Sequence, residues 1–376
     1  MISPSEFIHE LRKFGTNFFT GVPDSLLKHL CAYITDTTDI KGHIITANEG
    51  NAVALGCGHY LATSSIPMIY MQNSGEGNAI NPLLSLADEE VYQIPLLLII
   101  GWRGEPGVHD EPQHIKQGKV TIPLLETIGI PFQVLSNDVE EMRSQVVKAY
   151  TSMRTNLKPY CLIVKKGVFE SYSITQKMTD DGEMTRERAL ELIVASAEEH
   201  AIIVSTTGMA SRELYEIRER NKQSHEMDFL TVGSMGHASQ IALGIALNKK
   251  NRQVICIDGD GSALMHMGAM AIIGTTHPEN LMHIILNNGA HDSVGGQPTV
   301  GKRVDLMGVA RSVGYGTVQR VRDEQTLKDA MASQMKGPHC IEVAICRGNR
   351  PDLGRPKKTP KENKSEFMHY LQKETR

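Results

Sequence analysis

The sequence of 376 residues lacks the features that are typical of a disulfide- or zinc-stabilised, a membrane-spanning or a nucleic-acid-binding protein. None of its six cysteines forms a C-x-x-C pair, which disfavours a zinc ribbon or a disulfide scaffold and fits a reducing compartment. The longest apolar run, Pro95–Ile100, is far shorter than the roughly 20 residues that cross a bilayer. With 39 basic and 43 acidic residues, the net charge is −4, so no basic field for nucleic acid is expected. These absences predict a soluble, cytoplasmic protein whose partners include neither nucleic acid nor membrane.

The chain instead alternates short apolar runs with amphipathic segments of helix length. Strands that alternate with helices in this way form parallel sheets covered on both faces. The sequence therefore predicts an α/β fold of two doubly wound parallel-sheet domains. The strand candidates of the first half are Asn17–Gly21, Gly42–Ala47, Pro67–Gln72, Pro95–Ile100, Pro131–Leu135 and Tyr160–Val164. Those of the second half are Ala201–Ser205, Phe229–Val232, Gln253–Ile257, Met282–Leu286, Thr317–Arg320 and Cys340–Ala344.

A polar segment without apolar periodicity, Gly167–Thr185, separates the two halves. We expect a first domain over residues 1–170 and a second over 185–346, with Thr185 as the N-cap of a helix that begins near Arg186. Residues 347–376 are rich in proline, glycine and lysine. This composition predicts a solvated C-terminal extension that ends in a short helix.

Polar residues follow two neighbouring strand candidates of the second half. Val254–Ile257 leads into Asp258–Gly261, and Met282–Leu286 leads into Asn287–Gly289. The carboxyl ends of parallel strands lie at one edge of a sheet, where ligands bind in such folds. We therefore expect these two polar turns to lie close together.

The residue types in the two turns fit a metal-bound diphosphate. Gly259 and Gly261 let the backbone approach a phosphate at a helix N-terminus, and Ser262 can hydrogen-bond to it. Asp260 and Asn288 supply the hard oxygen ligands that Mg²⁺ prefers. A lone Gly-Asp-Gly is more often a simple turn, and this alternative stays open for the motif by itself.

Two other phosphate-binding motifs are absent from this chain. A dinucleotide fingerprint needs a third glycine where Leu264 stands, and no G-x-x-x-x-G-K-[ST] sequence occurs. Nucleotide hydrolysis therefore lacks its usual marker.

The Gly259-Asp260-Gly261 turn followed by Asn287-Asn288 resembles the signature of the thiamine-diphosphate-dependent decarboxylase family. The resemblance implies thiamine diphosphate and Mg²⁺ as cofactors, and two domains of the thiamine-diphosphate-binding fold without the central domain of typical members. It implies a pyrimidine-binding first domain and a diphosphate- and magnesium-binding second domain. The implied metal ligands are Asp260, the side chain of Asn288 and the carbonyl of Ala290.

The loop Gly233–Gly236 resembles the family segment that grips the aminopyrimidine, with Met235 as an apolar wedge under the cofactor. Core packing is the alternative for this methionine. The cofactor-binding residues implied by the resemblance are Glu49, Thr206, Thr207, Gly208, Gly233, Met235, Gly259, Asp260, Gly261, Ser262, Asn288, Ala290, His291 and Asp292.

Glu49 stands where a strand candidate ends and a helix begins, within Thr46–Ala52. Considered alone, it is a carboxylate favoured by a helix N-terminus. The matching glutamate of the family hydrogen-bonds N1′ of the aminopyrimidine across a subunit interface. The resemblance therefore implies that Glu49 is catalytic and that the protein is a homodimer or a larger homo-oligomer.

Further motifs narrow the resemblance to the branch of the family that decarboxylates 2-keto acids carrying a phosphonate. They are Gly21–Leu27, Met71–Asn78, Gly101–Gly107, Asp110–His114 and Gly295–Thr299. The implied reaction converts 3-phosphonopyruvate into phosphonoacetaldehyde and CO₂, within the biosynthesis of phosphonates such as 2-aminoethylphosphonate. A sulfopyruvate substrate and a non-catalytic thiamine-fold subunit are the alternatives.

The loops of the first half supply candidate residues for that substrate. Arg103 can bind a phosphonate through two N–H groups, and His109 on the following loop can assist it. Ser25 and Asn73 are further expected substrate contacts. Asp24 is expected to take part in a proton relay, and His114 is expected to be catalytic. His109, His114 and His291 are the candidate proton carriers, although each histidine could equally be a solvated loop residue.

Overall fold

The computed structural model describes residues 1–175, 182–334 and 336–373. The chain forms two compact units, Met1–Lys177 with Val294–Gln297, and Met178–Ser293 with Pro298–Arg376. Part of the predicted domain boundary, residues 176–181, lies outside the described residues. Within the described ranges, no helix is both long and apolar enough to span a membrane.

The first unit contains a six-stranded parallel sheet in the order β2-β1-β3-β4-β6-β5. Neighbouring residues of its central strands face opposite sides, since Tyr70 belongs to one apolar cluster and Ile69 to the other. All six strands predicted for this half are confirmed. They are β1 (Phe19–Gly21), β2 (His43–Ile45), β3 (Met68–Gln72), β4 (Leu97–Gly101), β5 (Phe132–Val134) and β6 (Tyr160–Val164). The helices are α1 (Pro4–Lys13), α2 (Lys28–Thr37), α3 (Glu49–Thr63), α4 (Glu76–Pro82), α5 (Pro112–Thr127) and α6 (Val139–Asn156), with a 3₁₀ turn at Asn73–Gly75 and a π turn at Leu83–Ala87.

The second unit repeats the architecture with a six-stranded parallel sheet in the order β13-β14-β10-β9-β7-β8. Its predicted strands are confirmed as β7 (Ile202–Ser205), β8 (Asp228–Leu230), β9 (Val254–Gly259), β10 (Leu281–Asn287), β13 (Thr317–Val321) and β14 (His339–Ala344). Two shorter strands, β11 (Ala290–His291) and β12 (Gln297–Pro298), and a 3₁₀ turn at Asp292–Val294 follow β10. The helices are α7 (Arg186–Ser196), α8 (Met209–Arg220), α9 (Ala238–Asn248), α10 (Asp260–Met265), α11 (Gly268–Thr276), α12 (Leu306–Ser312), α13 (Glu324–Ala332) and α14 (Pro360–Gln372).

The start of α7 is the predicted one. The hydroxyl of Thr185 accepts a hydrogen bond from the backbone N–H of Arg188 at 3.1 Å, which satisfies one of the free donors of the first turn. Local capping chemistry therefore sufficed to place this helix end.

The C-terminal helix α14 is not solvated as the sequence predicts. Its side chains Phe367 and Tyr370 are buried, and the ring of Phe367 lies 5.4 Å from that of Phe229 in β8. Asn363 donates to the carbonyl of Asp228 and accepts from the N–H of Leu230. Because β8 is an edge strand with free backbone groups, the helix supplies partners that a neighbouring strand would otherwise provide.

Candidate active site

Glu49 is the first residue of α3, immediately beyond the carboxyl end of β2. The side chain of Asn48 caps the helix by accepting the N–H of Gly50 at 2.8 Å. The Glu49 side chain is buried, and its Oε2 accepts a hydrogen bond from Nδ2 of Asn78 at 2.8 Å. Burial raises the pKa of Glu49, because a charged carboxylate is costly away from water. The site therefore favours a protonated carboxyl more than solution does.

Gly75 makes room for that carboxyl. A Cβ atom at Gly75 would overlap the carboxyl group of Glu49. The glycine ends the 3₁₀ turn that precedes α4, the helix on which Asn78 lies. The segment Asn73–Asn78 thus provides both the space for Glu49 and its hydrogen-bond donor.

Asp24 follows β1 at the same edge of the first sheet and is fully buried. Its carboxylate accepts hydrogen bonds from Nε2 of Gln72 at 2.5 Å and from the N–H of Leu26 at 2.9 Å. The hydroxyl of Ser25 donates to it at 3.4 Å. Asp24 is therefore fixed in a polar setting in which Ser25 connects it to the next charged group.

That next group is Arg103, which follows β4. Its Nη1 donates to Oγ of Ser25 at 2.7 Å, while its Nε and Nη2 both donate to the carboxylate of Asp110. The same carboxylate accepts from Nδ1 of His114 at 2.9 Å. Hydrogen bonds therefore connect three residues of the predicted site, Ser25, Arg103 and His114. The connection between Arg103 and His114 passes through Asp110, which was not among the predicted site residues.

His109 and Asn73, two of the expected substrate contacts, differ in their surroundings. His109 is exposed and forms no hydrogen bond among the described residues, so Asp110 and not His109 accompanies Arg103. Asn73 is fully buried, and its side chain donates to the carbonyl of Arg103 at 2.8 Å and accepts from its N–H at 3.2 Å. Its amide also donates to Thr121 at 3.0 Å. Asn73 therefore holds the backbone of Arg103 in place, and its polar atoms are already used.

Glu76, the first residue of α4, is a buried carboxyl that the sequence did not mark as unusual. Neither of its oxygens has a hydrogen-bond partner in the part of the chain that the structure describes. The hydroxyl of Thr121 lies beside it, but that hydroxyl already donates its proton to the carbonyl of Gln117. Burial raises the pKa of Glu76 to about 8, so the group holds its proton at neutral pH.

In the second unit, Asp260 and Asn288 lie at the ends of the neighbouring strands β9 and β10, as predicted. Both side chains are buried. The hydroxyl of Thr299 donates to the carboxylate of Asp260, and a Cβ atom at Gly301 would overlap it. Burial raises the pKa of Asp260 to about 6. A divalent cation would offset the cost of this buried charge.

The side chain of Asn288 is oriented by Asp292. Nδ2 of Asn288 donates to Oδ2 of Asp292 at 2.7 Å, and the N–H of Gly348 donates to the same oxygen at 2.9 Å. Arg186 adds an ion pair at 3.3 Å. Oδ1 of Asn288 accepts the N–H of Ala290 at 3.0 Å. Asp292 therefore fixes the orientation of the Asn288 side chain by accepting a hydrogen bond from its amide group.

Three predicted cofactor-binding segments converge near the start of α10. The hydroxyl of Ser262 lies 3.0 Å from that of Thr206 and accepts the N–H of Gly236 at 3.0 Å. Oγ1 of Thr207 accepts the N–H of Gly233 at 2.9 Å, and Gly208 precedes α8. The structure thus brings the hydroxyls and the glycine loop together.

Met235 and His291 lie on either side of Gly261, whose missing side chain would contact both. Burial lowers the pKa of His291 to about 4. This imidazole is therefore neutral near pH 7.

Beneath the Asp260 turn, Cys256, Asp258 and His283 each place one possible ligand atom within 4.8 Å of the others. His283 contacts the hydroxyl of Tyr315 at 3.0 Å and the carboxylate of Asp258 at 3.4 Å. Asp258 also accepts the N–H of Gly259 at 3.0 Å. These hydrogen bonds account for both nitrogens of His283 and both carboxylate oxygens of Asp258.

The sequence reasoning missed Gln72, Asn78, Asp110 and Thr299, which contact predicted site residues directly. All four lie within or next to the motifs that narrowed the resemblance. Their presence in those motifs was the available signal, but spacing alone did not indicate which side chain each would contact.

Two family models match this chain. The model of the thiamine pyrophosphate enzyme, N-terminal TPP binding domain, matches residues 5–122, and that of the C-terminal TPP binding domain matches residues 206–343. These matches cover the two sheet edges just described. The fold and the two matching family models together identify the chain as a thiamine pyrophosphate enzyme.

Three proteins that resemble this chain over nearly its whole length indicate which thiamine pyrophosphate enzymes it is similar to. The chain is 34% identical to the phosphonopyruvate decarboxylase of Streptomyces viridochromogenes, over 99% of this chain and 95% of that one. It is 34% identical to that of Streptomyces hygroscopicus, over 98% and 94%. It is 28% identical to the sulfopyruvate decarboxylase of Methanosarcina acetivorans, over 99% and 98%. The chain therefore belongs to the family of phosphonopyruvate decarboxylases.

Proposed function

We propose that the protein decarboxylates 3-phosphonopyruvate to phosphonoacetaldehyde and CO₂, using thiamine diphosphate and Mg²⁺. The observation that carries the proposal is the buried Glu49, which is kept in a proton-favouring setting by Gly75 and Asn78. A degenerate, non-catalytic subunit would have no need of this arrangement. The setting is phosphonate biosynthesis, with the aldehyde passed on towards 2-aminoethylphosphonate.

The second unit fits the cofactor. Asp260, the side chain of Asn288 and the carbonyl of Ala290 would hold Mg²⁺, because they are oxygen donors grouped around a buried carboxylate whose pKa burial has raised. Thr206 and Ser262 would contact the diphosphate, and Gly233 the aminopyrimidine. When bound, thiamine diphosphate supplies a carbon nucleophile for the keto group and a positively charged ring that accepts the electrons released with CO₂.

The residues of the first unit would control protons and the substrate anion. Glu49 would share its proton with N1′ of the aminopyrimidine, which requires a carboxyl that is protonated more readily than in water. Asp24 and His114 would move protons at the keto carbon. Arg103 and Ser25 would contact the phosphonate, because together they present a guanidinium and a hydroxyl at 2.7 Å from one another.

The assembly and the location are part of the proposal. We propose a homodimer or a larger homo-oligomer in which Glu49 acts on the cofactor of a partner chain, as the family resemblance implies. All six cysteines are unbridged, and five of them are buried. Free thiols of this kind support a location in the reducing cytoplasm.

Activity should depend on both thiamine diphosphate and a divalent cation. Dialysis against a chelator should abolish decarboxylation, because Asp260 and Asn288 alone cannot retain the diphosphate. Adding Mg²⁺ and thiamine diphosphate together should restore it, whereas either one alone should not. The measurement is the rate of CO₂ release before and after each addition. Full activity after exhaustive removal of both would refute the proposed chemistry.

Phosphonopyruvate should be a better substrate than sulfopyruvate or pyruvate. Near pH 7 a phosphonate can carry a second negative charge that a sulfonate lacks, and this charge strengthens hydrogen bonds from a guanidinium. The measurement is kcat/KM for the three acids with the same holoenzyme preparation. A preference for sulfopyruvate would assign the protein to the sulfonate branch, which the similarity to a sulfopyruvate decarboxylase makes the second candidate. A preference for pyruvate would contradict the anion contact altogether.

A further inference from the structure

Asp110 is the most heavily hydrogen-bonded carboxylate at the edge of the first sheet. Its Oδ1 accepts from Nη2 of Arg103, from the N–H of Glu111 at 2.7 Å and from Nδ1 of His114 at 2.9 Å. Its Oδ2 accepts from Nε of Arg103 and from the N–H of Gly104, both at 2.8 Å. Five N–H groups therefore converge on one side chain that lies between two residues proposed to act on the substrate.

This pairing determines which part of Arg103 can face a ligand. A guanidinium has five N–H donors, and Asp110 accepts two of them while Ser25 accepts a third from Nη1. One N–H on Nη1 and one on Nη2 have no partner within residues 1–175, 182–334 and 336–373. A two-oxygen anion fits these two donors, whereas the Nε side of the guanidinium is closed to it.

The same carboxylate sets the tautomer of His114. Because Nδ1 must donate to Asp110, a neutral imidazole carries its lone pair on Nε2, where it can accept a proton. Three charged groups lie near this ring: Asp110 and Arg103, both from the loop between β4 and α5, and Asp24 from the loop after β1. Burial lowers the pKa of His114, while the hydrogen bond that its Nδ1 donates to Asp110 opposes this shift.

Asp110 could instead be a placeholder that the substrate anion displaces from Arg103. Its contacts argue against that interpretation. Two of the five donors are backbone N–H groups of its own loop, and these would be left without an acceptor if the side chain turned away. Its hydrogen bonds hold the pKa of Asp110 well below the usual range, which indicates an anion stabilised where it lies.

We propose that Asp110 is a positioning residue that presents the remaining N–H groups of Nη1 and Nη2 of Arg103 to the phosphonate and fixes His114 as a proton acceptor at Nε2. The proposal rests on the proposed function for the identity of the anion. The hydrogen-bond geometry itself does not depend on it.

The test is Asp110→Asn. Each carboxylate oxygen accepts at least one N–H of Arg103, so either orientation of the new amide places its NH₂ group against the guanidinium. The variant removes one charge and leaves the volume nearly unchanged. The control is Asp39→Asn, because the exposed side chain of Asp39 also accepts two backbone N–H groups of its own loop but forms no hydrogen bond with an arginine or histidine side chain of the described residues.

Imidazole ¹⁵N spectra give a readout independent of turnover. In the wild type and in Asp39→Asn, neutral His114 should be protonated at Nδ1 alone, and Asp110→Asn should lower the pH at which Nε2 gains a proton, because the charge that favours the imidazolium is lost. Methylphosphonate, used as the anion probe, should bind the Asp110→Asn variant about 10- to 100-fold more weakly, as expected for loss of a charge-assisted contact. In kinetics, KM for phosphonopyruvate should rise by a similar factor, and the pH limb governed by His114 should move to lower pH.

Several results would overturn the proposal. The first is a neutral His114 that is protonated at Nε2 in the wild type. The second is methylphosphonate binding by Asp110→Asn that is as tight as in the wild type or tighter. The third is a wild type that does not bind methylphosphonate. If Asp110→Asn does not fold, Ser25→Ala decides the matter, because it should weaken methylphosphonate binding yet leave the His114 tautomer as in the wild type. A wild type that turns over none of the three acids would remove the proposed function, while the spectra and the probe titration would still test Asp110.

Discussion

Replacing Glu49 with glutamine should slow decarboxylation by about 10²- to 10⁴-fold, the range typical of a lost general acid–base group. Glutamine has the same shape, and its carbonyl oxygen can still accept the hydrogen bond from Asn78. The variant therefore keeps the local packing and loses only the exchangeable carboxyl proton. Exchange of deuterium at C2 of the bound thiazolium ring measures the affected step directly, and it should slow by a similar factor.

Glu140→Gln is the matched control for Glu49→Gln. Glu140 also lies in the first turn of a helix of the first unit, but its side chain is exposed. If a helix-end charge were all that Glu49 contributes, both variants would behave alike. Affinity for thiamine diphosphate should stay close to that of the wild type in both, because the proposed diphosphate contacts lie in the second unit. Wild-type C2 exchange in Glu49→Gln would contradict the catalytic role.

Replacing Glu76 with glutamine should make the folded protein progressively more stable, relative to the wild type, as the pH rises from about 4.5 to about 8. The folded-state pKa of Glu76 is raised to about 8 from its ordinary value of 4.5. Between these values the unfolded chain releases the proton and the folded chain keeps it, so the wild type loses stability with rising pH. Each pH unit corresponds to about 1.4 kcal/mol, which limits the whole effect to about 5 kcal/mol.

The measurement is the free energy of unfolding in denaturant at several pH values, for wild type and variant in parallel. A buried amide without partners adds a cost that does not vary with pH, so the slope of the difference against pH is the test. The difference should level off above pH 8. Glu126→Gln, on the exposed side of α5, controls for the loss of one carboxylate. A pH-independent difference would show that Glu76 titrates normally.

The fold was largely predictable because parallel sheets buried on both faces require short, almost wholly apolar strands. All twelve strand candidates correspond to strands of the two sheets. The position of α14 was not predictable from the same rule. Its lysines suggested solvent, whereas Phe367 and Tyr370 occupy one side of the helix and are buried. The amino-acid composition describes all sides of a helix together, whereas the packing of a helix against a sheet depends on the residues of one side.

The positions of site residues could be predicted where they follow the ends of strands, but not where they lie within long loops. Asp260 and Asn288 could be paired because register and direction in a parallel sheet bring successive strand ends together. His109 and Asp110 are neighbours in one loop, and no periodicity indicates which of them faces Arg103. Glu76 was missed for a related reason, because a glutamate at the start of a helix is expected at the surface.

The glycines that accommodate the carboxyl groups have a consequence for mutational surveys of this protein. Gly75 and Gly301 contribute no functional atom, yet any side chain there would occupy the volume of Glu49 or Asp260. In a library of random variants, these two positions would rank with the acids themselves among the least tolerant. A functional map made only from side-chain chemistry would leave them out, although the empty space that they provide is as much a part of the site as the groups that fill it.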